Sequence, residues 1–278
     1  MMTKTFCSMA LVAALIPFVQ PASAQNYKGT PKPTVRQYGP FSKNTKSNNA
    51  STKAASGMCG NPAGGCLYYG GDFVDNPLGP PFLPNGLANE NTLLVLGSPY
   101  GAATWVGFTV PAGETWTVRG LFTNNMSSYG VLDQLPAVPE KAAFWSINEG
   151  VAPGSAGTVV DSGTSAATAT ATGRAAFDLF EYTVEVRGLS VTLTAGSYWM
   201  TVVPQCTNTA DPFCDGVFFL SDVEYINTTP TNAFGPASSD VSFFDSTLFG
   251  ESFEPTNGPG ACLGDGCDAF SAGVLGSK

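Results

Sequence analysis

Apolar and polar side chains alternate most clearly between residues 181 and 204. Residues 182–186 and 189–193 each place an apolar side chain at every second position. This period is typical of β-strands with one face on a core and the other in water. Residues 198–203 are apolar at nearly every position, which predicts a central strand covered on both faces. We therefore expect this region to form the middle of a β-sandwich.

The pattern predicts further β-structure along the chain. Residues 105–110 and 115–122 are predicted to form a hairpin that turns at residues 111–113, and Ala195-Gly196 predicts a second reversal. Residues 162–172 alternate mainly Ala and Thr, which predicts an edge strand or an exposed loop. No window keeps a helical apolar stripe without Gly or Pro. The predicted fold class is all-β, an antiparallel β-sandwich of jelly-roll type with local disulfides.

The N-terminal part of the chain predicts export and a separate tail. Residues 1–24 contain Lys4, an apolar run and Ala-Ser-Ala, which are features of a secretory signal peptide cleaved after Ala24. No other apolar run is long enough to predict a membrane span. Residues 25–57 have few large apolar side chains and are predicted to be a disordered basic tail. Residues 58–278 are predicted to be the sandwich domain of a secreted protein, extracellular or periplasmic.

Cysteine usage agrees with an oxidising compartment. Of the chain's 7 cysteines, Cys7 lies in the predicted signal peptide, which leaves an even number in the mature chain. Close spacing favours disulfides within three local pairs. A metal site is the alternative, but the chain has no histidine and no Cys-x-x-Cys pattern. The predicted pairs are Cys59 with Cys66, Cys206 with Cys214, and Cys262 with Cys267.

Charge is distributed unevenly between the tail and the domain. Residues 25–57 hold six Lys or Arg and no acid. The domain has five basic residues and all 21 acidic residues, which give it a formal charge of −16. The asymmetry predicts that the tail contacts an anionic surface or the domain itself, with a solvated linker as the alternative. Nucleic acid is excluded as a partner of the acidic domain, because phosphate contacts require a basic surface.

Several segments of the chain carry a resemblance to known proteins: 108–118, 171–186, 193–206, 232–236 and 267–276. From about Trp105 onward, and most closely over residues 145–275, the chain resembles a group of uncharacterised secreted bacterial β-sandwich proteins. These are similar to the domains of choice-of-anchor and PEP-CTERM-type surface proteins. The resemblance implies a sandwich fold at the cell surface, with the shared pieces in strands and turns and none in an active site. The chain has no PEP-CTERM sorting signal, so we expect release or non-covalent retention.

The composition excludes several classes of enzyme. Without histidine, the chain has no Ser-His-Asp triad, no Cys-His pair and no ordinary zinc centre. A glycoside hydrolase remains open, because it needs only two carboxylates. Glu181 and Glu185 lie four positions apart on one predicted strand, about 13 Å at the standard rise, and are interpreted as solvated charges. No catalytic residue is predicted.

Two kinds of binding site are predicted from side-chain chemistry. Aromatic rings stack on sugars in carbohydrate-binding modules, and the candidates are Tyr68, Tyr69, Trp105 and Trp145, with the protein core as the alternative place for each ring. The two tyrosines must face opposite ways in a strand, so one of them is expected to be exposed.

Carboxylates beside two predicted disulfides are candidate calcium ligands. Asp211 and Asp215 flank Cys214, and Asp265 and Asp268 flank Cys267. Such loops can hold a structural Ca²⁺, although no EF-hand loop is present. No other cofactor is predicted.

These observations predict a secreted, non-enzymatic surface or matrix protein with an adhesive or binding role. Carbohydrate or another cell-envelope polymer is the candidate ligand. One alternative is a hydrolase that acts on glycans through a carboxylate pair. The other is a self-assembling structural subunit, in which the basic tail of one copy docks on the acidic domain of the next.

Overall fold

The computed structural model describes residues 59, 65–72, 86–89, 100–127, 142–176, 179–205, 218–221, 233–236, 241–247, 250–257 and 270–278. Within them, the chain is almost entirely antiparallel β-sheet, as the alternation predicted. The predicted signal peptide and basic tail lie outside the described residues. In chain order the described strands are β1 Cys66–Tyr69, β2 Gly86–Ala88, β3 Ala102–Ser127, β4 Ala142–Glu149, β5 Thr158–Ala176, β6 Leu179–Pro204, β7 Phe218–Ser221, β8 Phe243–Ser246, β9 Glu251–Pro255 and β10 Ala272–Ser277.

Strands β3 and β6 form a long two-stranded ribbon at the centre of the sheet. They pair antiparallel from Val106 opposite Met200 to Ser127 opposite Phe180. The ladder of β3 skips residues 111–114, where the next paired residue after Val110 is Thr115. The predicted hairpins are therefore wrong. Neither strand folds back to pair with itself. Each continues alongside the other, so the two Ala-Gly segments lie opposite each other in one ladder.

The ribbon bends where the ladder is interrupted. Phe108 and Trp116, eight positions apart on β3, stack with ring centroids 6.2 Å apart and an interplanar angle of 9°. In a straight strand these residues would be about 26 Å apart. Gly113 has a φ of 83°, which glycine adopts readily, and Pro111 has no N–H to donate to the ladder, so both residues suit the bend. The two arms of β3 consequently pack against each other.

The remaining strands extend both arms of the ribbon. On one arm, β10 pairs with residues 117–123 of β3, and β1 pairs with β10. On the other, β4 pairs with residues 198–204 of β6. Strand β5 serves both arms, since it pairs first with β4 and then with β6. The main core contains side chains from both arms, among them Val106, Phe108, Val118, Leu121, Val186 and Met200. The jelly-roll strand order stays a prediction.

A second core lies on the opposite face of the β6 arm. Trp199 and Val203 point into it, whereas Tyr198, Met200 and Val202 point into the main core. Residues 198–204 are thus covered on both faces, and the prediction of a central strand is confirmed. Strands β8 and β9 contribute to this second core through Phe243 and Phe253.

One predicted disulfide lies within the described residues. Cys59 and Cys66 are bonded, and the bond closes a short loop that leads into β1. The pairings predicted for Cys206 with Cys214 and for Cys262 with Cys267 lie outside the described residues. No helix in the described part of the chain has the length and hydrophobicity needed to cross a bilayer.

Candidate functional site

The four aromatic residues predicted to bind sugar are all buried. Tyr68 stacks on Phe108 in the main core, and Trp145 lies in the same core, where its Nε1 donates a hydrogen bond of 2.9 Å to Ser165 Oγ. Trp105 lies in the second core. Tyr69 faces away from Tyr68, as expected, but is only 1% exposed. The expectation of one exposed tyrosine is therefore wrong, and none of the four offers an open ring face for stacking.

Tyr69 belongs to a buried row of polar side chains that crosses β1, the residue before β10, β3 and β6. Its hydroxyl donates to Asp72 Oδ1 (2.6 Å) and lies 3.1 Å from Ser271 Oγ. Asn124 Nδ2 donates to Tyr69 Oη (3.1 Å) and to Ser271 Oγ (2.8 Å). The Thr183 hydroxyl donates to Asn124 Oδ1 (2.6 Å). We call these five residues the polar row. Its hydrogen bonds tie together three strands and the residue that leads into β10, all far apart in sequence.

Two glutamates flank the polar row on β6, and both are buried. Glu181 is 0% exposed and Glu185 is 7% exposed, so the interpretation of these residues as solvated charges is wrong. They share a face with Thr183, and this face is covered in the folded protein. The Thr172 hydroxyl donates a hydrogen bond of 2.7 Å to Glu181 Oε2. A buried carboxylate needs such partners because its desolvation is costly.

Glu185 has a different partner. Its carboxylate forms an ion pair with Arg187, whose side chain is largely exposed. Burial raises the pKa of the Glu185 carboxyl, and the charge and hydrogen bond of Arg187 oppose part of that rise. Neither glutamate lies open to a substrate, so this pair adds no support to the hydrolase alternative.

The predicted calcium ligands Asp211, Asp215, Asp265 and Asp268 lie outside the described residues. Within the described ranges, no group of three or more Cys, Asp or Glu side chains is placed to hold a metal ion. Asp72, the carboxylate nearest the disulfide loop in sequence, accepts a hydrogen bond from the Tyr69 hydroxyl. The calcium site therefore stays a prediction.

The long strand β5 has a described partner on one edge only at any position. Residues 158–166 pair with β4, and residues 167–176 pair with β6. Because β4 itself lies between β6 and β5, these two partners lie on opposite edges of β5, and the open edge changes side near residue 166. Of the two predictions for residues 162–172, an edge strand or an exposed loop, the strand is confirmed. An edge strand presents backbone N–H and C=O groups that can pair with another strand.

Exposure along β5 alternates with every residue between positions 162 and 170. The residues that face inward are small and lie against the core: Gly163 is next to the Trp145 ring, and Ala167 and Ala169 pack on the main core. The outward residues are exposed and carry hydroxyl or methyl groups. They are Ser162, Thr164, Ala166, Thr168 and Thr170.

The start of β5 carries apolar surface and one charge. Val159 and Val160 are 53% and 37% exposed, and they are the exposed large hydrophobic residues of the described chain. Asp161 is exposed, and its Oδ1 accepts a hydrogen bond of 2.8 Å from the Ser162 N–H. This N–H is occupied by a side chain of the same strand. The nine residues that follow Asp161 contain no charged residue and no proline. Charged residues and prolines commonly protect an edge strand from pairing with another chain.

The polar row was not predicted as a unit. Asn124-Asn125 lie just beyond the strand predicted at residues 115–122, and β3 continues through them. Asparagine is depleted in strands, so its presence in one indicates a specific role. Asn125 also has buried partners, since its Nδ2 donates to Thr123 Oγ1 (2.9 Å) and its Oδ1 accepts from Asn89 (2.9 Å). Sequence alone does not show which strands these amides connect.

Comparison with known proteins yields little. No protein-family model matches the chain, and no curated protein matches it. One similar solved structure contains the cysteine protease and lectin-like domains of Cwp84, a surface layer associated protein of Clostridium difficile. The identity is 14% and the TM-score 0.34, and the match covers 64% of this chain and 33% of that chain. At this TM-score the likeness carries no argument about fold or function. The resemblance to choice-of-anchor proteins stays a prediction.

Proposed function

We propose that the protein is a secreted, non-enzymatic surface or matrix protein that binds through the exposed edge of β5. The observation that carries the proposal is the segment of residues 162–170, where each residue has one edge without a described partner strand. Five outward side chains of this segment are exposed, and the segment contains no charged residue and no proline. Strand addition at such an edge gives affinity through main-chain hydrogen bonds.

The rest of the described molecule is consistent with a binding role. The predicted aromatic sites and both β6 glutamates are buried, so they act in packing. The Cys59–Cys66 disulfide supports an oxidising compartment outside the cytoplasm, as the predicted signal peptide also does. The ligand that suits a strand edge is an extended polypeptide segment of the cell surface or matrix.

The proposal can be tested with the full chain and two double variants. Thr164→Lys/Thr168→Lys places two charges on the exposed β5 edge, which should abolish strand addition. Thr192→Lys/Thr194→Lys is the matched control, because both threonines are exposed on β6 in a stretch that pairs with β3 and does not contact the β5 ladder. Cosedimentation of labelled chain with a bacterial envelope fraction should be lost only in the β5 variant. Absence of wild-type binding, or equal binding by both variants, would refute the proposal. A glycan array with the same proteins separates carbohydrate from polypeptide ligands.

A further inference from the structure

We infer that the second core is a closed binding site for a sugar ring, and that β9 is its lid, with Phe253 in the place of the ligand. The inference goes beyond the proposed function, because the second core contains no residue of β5. It rests on four features: an aromatic lining, two polar groups without a described partner, a strained residue and a weakly held strand.

The second core is lined mainly by aromatic rings. Trp105 packs on Phe253 with ring centroids 5.5 Å apart, and Trp199 packs on Phe243 at 6.1 Å. Tyr100 packs edge-on against Trp105 and is only partly buried, so it lies at the rim of this core. Aromatic walls with a few polar groups are the usual lining of a small-molecule site, and aromatic faces stack on sugar rings.

Two polar groups in this core have no hydrogen-bond partner among the described residues. They are Nε1 of Trp105 and the hydroxyl of Thr201, and these residues are 3% and 0% exposed. Thr201 lies two positions after Trp199 on β6, so strand alternation directs both side chains into the second core. Trp105 and Thr201 are each one position from the paired residues Val106 and Met200, which makes them neighbours across the two strands.

These two groups indicate the class of ligand. The indole Nε1 of Trp105 only donates, whereas the hydroxyl of Thr201 donates and accepts. A buried polar group without a partner is costly, and the phenyl ring of Phe253 has no hydroxyl to offer. A pyranose ring is similar in size to a phenyl ring, and its hydroxyls can bond to both groups. The site therefore favours a sugar over a purely apolar ring.

Phe253 holds its position at a backbone cost. Among the described residues it is the one non-glycine residue with a positive φ, 45°. Such outliers persist only where the surroundings enforce them, and they cluster at ligand clamps and switch regions. The Asp245 carboxylate accepts a hydrogen bond from the Phe253 N–H and another of 2.7 Å from the Tyr100 hydroxyl. Opening of β9 would relieve the strain and release one of these bonds, and the nearby carboxylate selects a neutral sugar over an acidic one.

β9 is weakly held in the described sheet. Its described partner strand is β8 alone, and their ladder has a register shift between Phe244 and Ser246. Of its five residues, only Phe253 is buried. One further backbone bond reaches it, from the Gly154 N–H to the Ser252 carbonyl (3.1 Å). Segments with so few buried contacts are those that open most readily.

The two ends of β9 differ as a lid requires. Gly250 precedes the strand, is exposed and has a φ of 69°. At the other end, the Thr256 N–H donates to the Ser242 carbonyl (3.0 Å), directly before β8. Opening thus pivots residues 251–254 on Thr256 and uses Gly250 as the hinge. The packing of Trp105 in the second core belongs to the closed lid, and its ring becomes accessible when the lid opens.

Saccharide titration of the full chain tests for the site. The probes are neutral hexasaccharides of glucose, xylose and N-acetylglucosamine, and the readout is tryptophan fluorescence, because Trp105 and Trp199 line the site. At least one probe should change the emission and saturate. Phe253→Gly removes the occupying ring and the strain, so it should bind that probe at least about tenfold more tightly. If no probe changes the emission of either protein, the inference is overturned.

A covalent lock tests the lid. Phe244 and Glu254 are directly opposed in the β8–β9 ladder, and opposed Cα atoms, about 4.5–5.5 Å apart, are within disulfide range. The oxidised Phe244→Cys/Glu254→Cys variant should lose saccharide binding, and a reductant should restore it. Equal binding by its oxidised and reduced forms would be incompatible with a lid.

Two controls accompany the lock. Thr115→Cys/Thr194→Cys joins two exposed, directly opposed residues of β3 and β6 outside the second core. Its oxidised form should bind saccharide like the wild type. The wild type treated with the same reductant controls for reduction of the Cys59–Cys66 bond.

Conservative substitutions test the ligand class. Trp105→Phe keeps an aromatic ring without Nε1, and Thr201→Val keeps the side-chain shape without the hydroxyl. Each should weaken saccharide binding by at least about tenfold without loss of stability, because the removed group has no described partner. Trp145→Phe, in the main core, is the control and should leave the affinity unchanged. Unchanged affinity in both second-core variants would overturn the inference.

These results also separate the inference from the proposed function. If no saccharide binds but envelope binding depends on the β5 segment, only the inference fails. If saccharide binding depends on the lid but envelope binding is the same in the β5 lysine variant and its β6 control, the inference stands and the proposed function fails.

Discussion

Removal of the Asn124 amide should destabilise the fold by leaving buried polar groups without partners. Asn124 is 0% exposed and bonds to Tyr69, Ser271 and Thr183. In Asn124→Ala, the Tyr69 hydroxyl still donates to Asp72, and the Ser271 hydroxyl still donates to the carbonyl of Gly71. The Thr183 hydroxyl loses its 2.6 Å bond to the amide.

The magnitude follows from this count. Leaving the Thr183 hydroxyl buried and unsatisfied costs about 1–3 kcal/mol. Loss of the two bonds that Asn124 donates adds roughly 0.5–1.5 kcal/mol each. Since the desolvation cost of the amide itself is removed, we expect a net loss of about 2–4 kcal/mol in the free energy of unfolding, measured by urea denaturation.

A double-mutant cycle tests the physical reason. Thr183→Val removes the hydroxyl that Asn124→Ala would leave unsatisfied, so the double variant should be more stable than the sum of the single losses predicts by about 1 kcal/mol or more. Thr192→Ala, at an exposed position of the same strand, should change the free energy by less than about 0.5 kcal/mol. Additive single losses, or a loss below about 1 kcal/mol for Asn124→Ala, would refute the view that the polar row acts as a connected network.

Three further predictions concern packing, charge and the disulfide. Trp116→Ala removes a fully buried ring at the bend and should cost about 3–5 kcal/mol in urea denaturation. Because the pKa of Glu185 is raised in the folded protein, its contribution to stability is present at acidic pH and is lost as pH rises through that pKa. Glu185→Gln should therefore gain stability relative to the wild type from about pH 4 to about pH 8, and an unchanged difference would contradict the burial argument. Cys59→Ser opens a short loop and should lower the free energy of unfolding, measured by urea denaturation, by about 2–3 kcal/mol. An unchanged free energy of unfolding would mean that the loop is already ordered in the unfolded chain, which would contradict the chain-entropy argument.

Much of the fold could be predicted because strand periodicity is a local property. The all-β class, the doubly covered stretch at residues 198–203 and the strand at 162–172 all follow from residue type and spacing. The Cys59–Cys66 bond follows from proximity in sequence. These features depend little on which strands become neighbours.

The errors arose where a feature depends on a distant partner. Residues 111–113 do change the direction of β3, but whether a turn closes a hairpin or bends a ribbon is decided by the strand beside it. Similarly, the alternation correctly assigns Glu181 and Glu185 to one face of β6. Whether that face is wet depends on the rest of the fold, and here both side chains are buried.

The same contrast explains why β5 is the most informative strand for function. Elsewhere in the described sheet, polar side chains are held by partners distant in sequence, as Thr183 is by Asn124. On β5, the exposed threonines between residues 162 and 170 face solvent. A sequence selected merely for a solvated edge would gain from a lysine or a proline within residues 162–170. The absence of both favours a segment that is kept open for a partner strand.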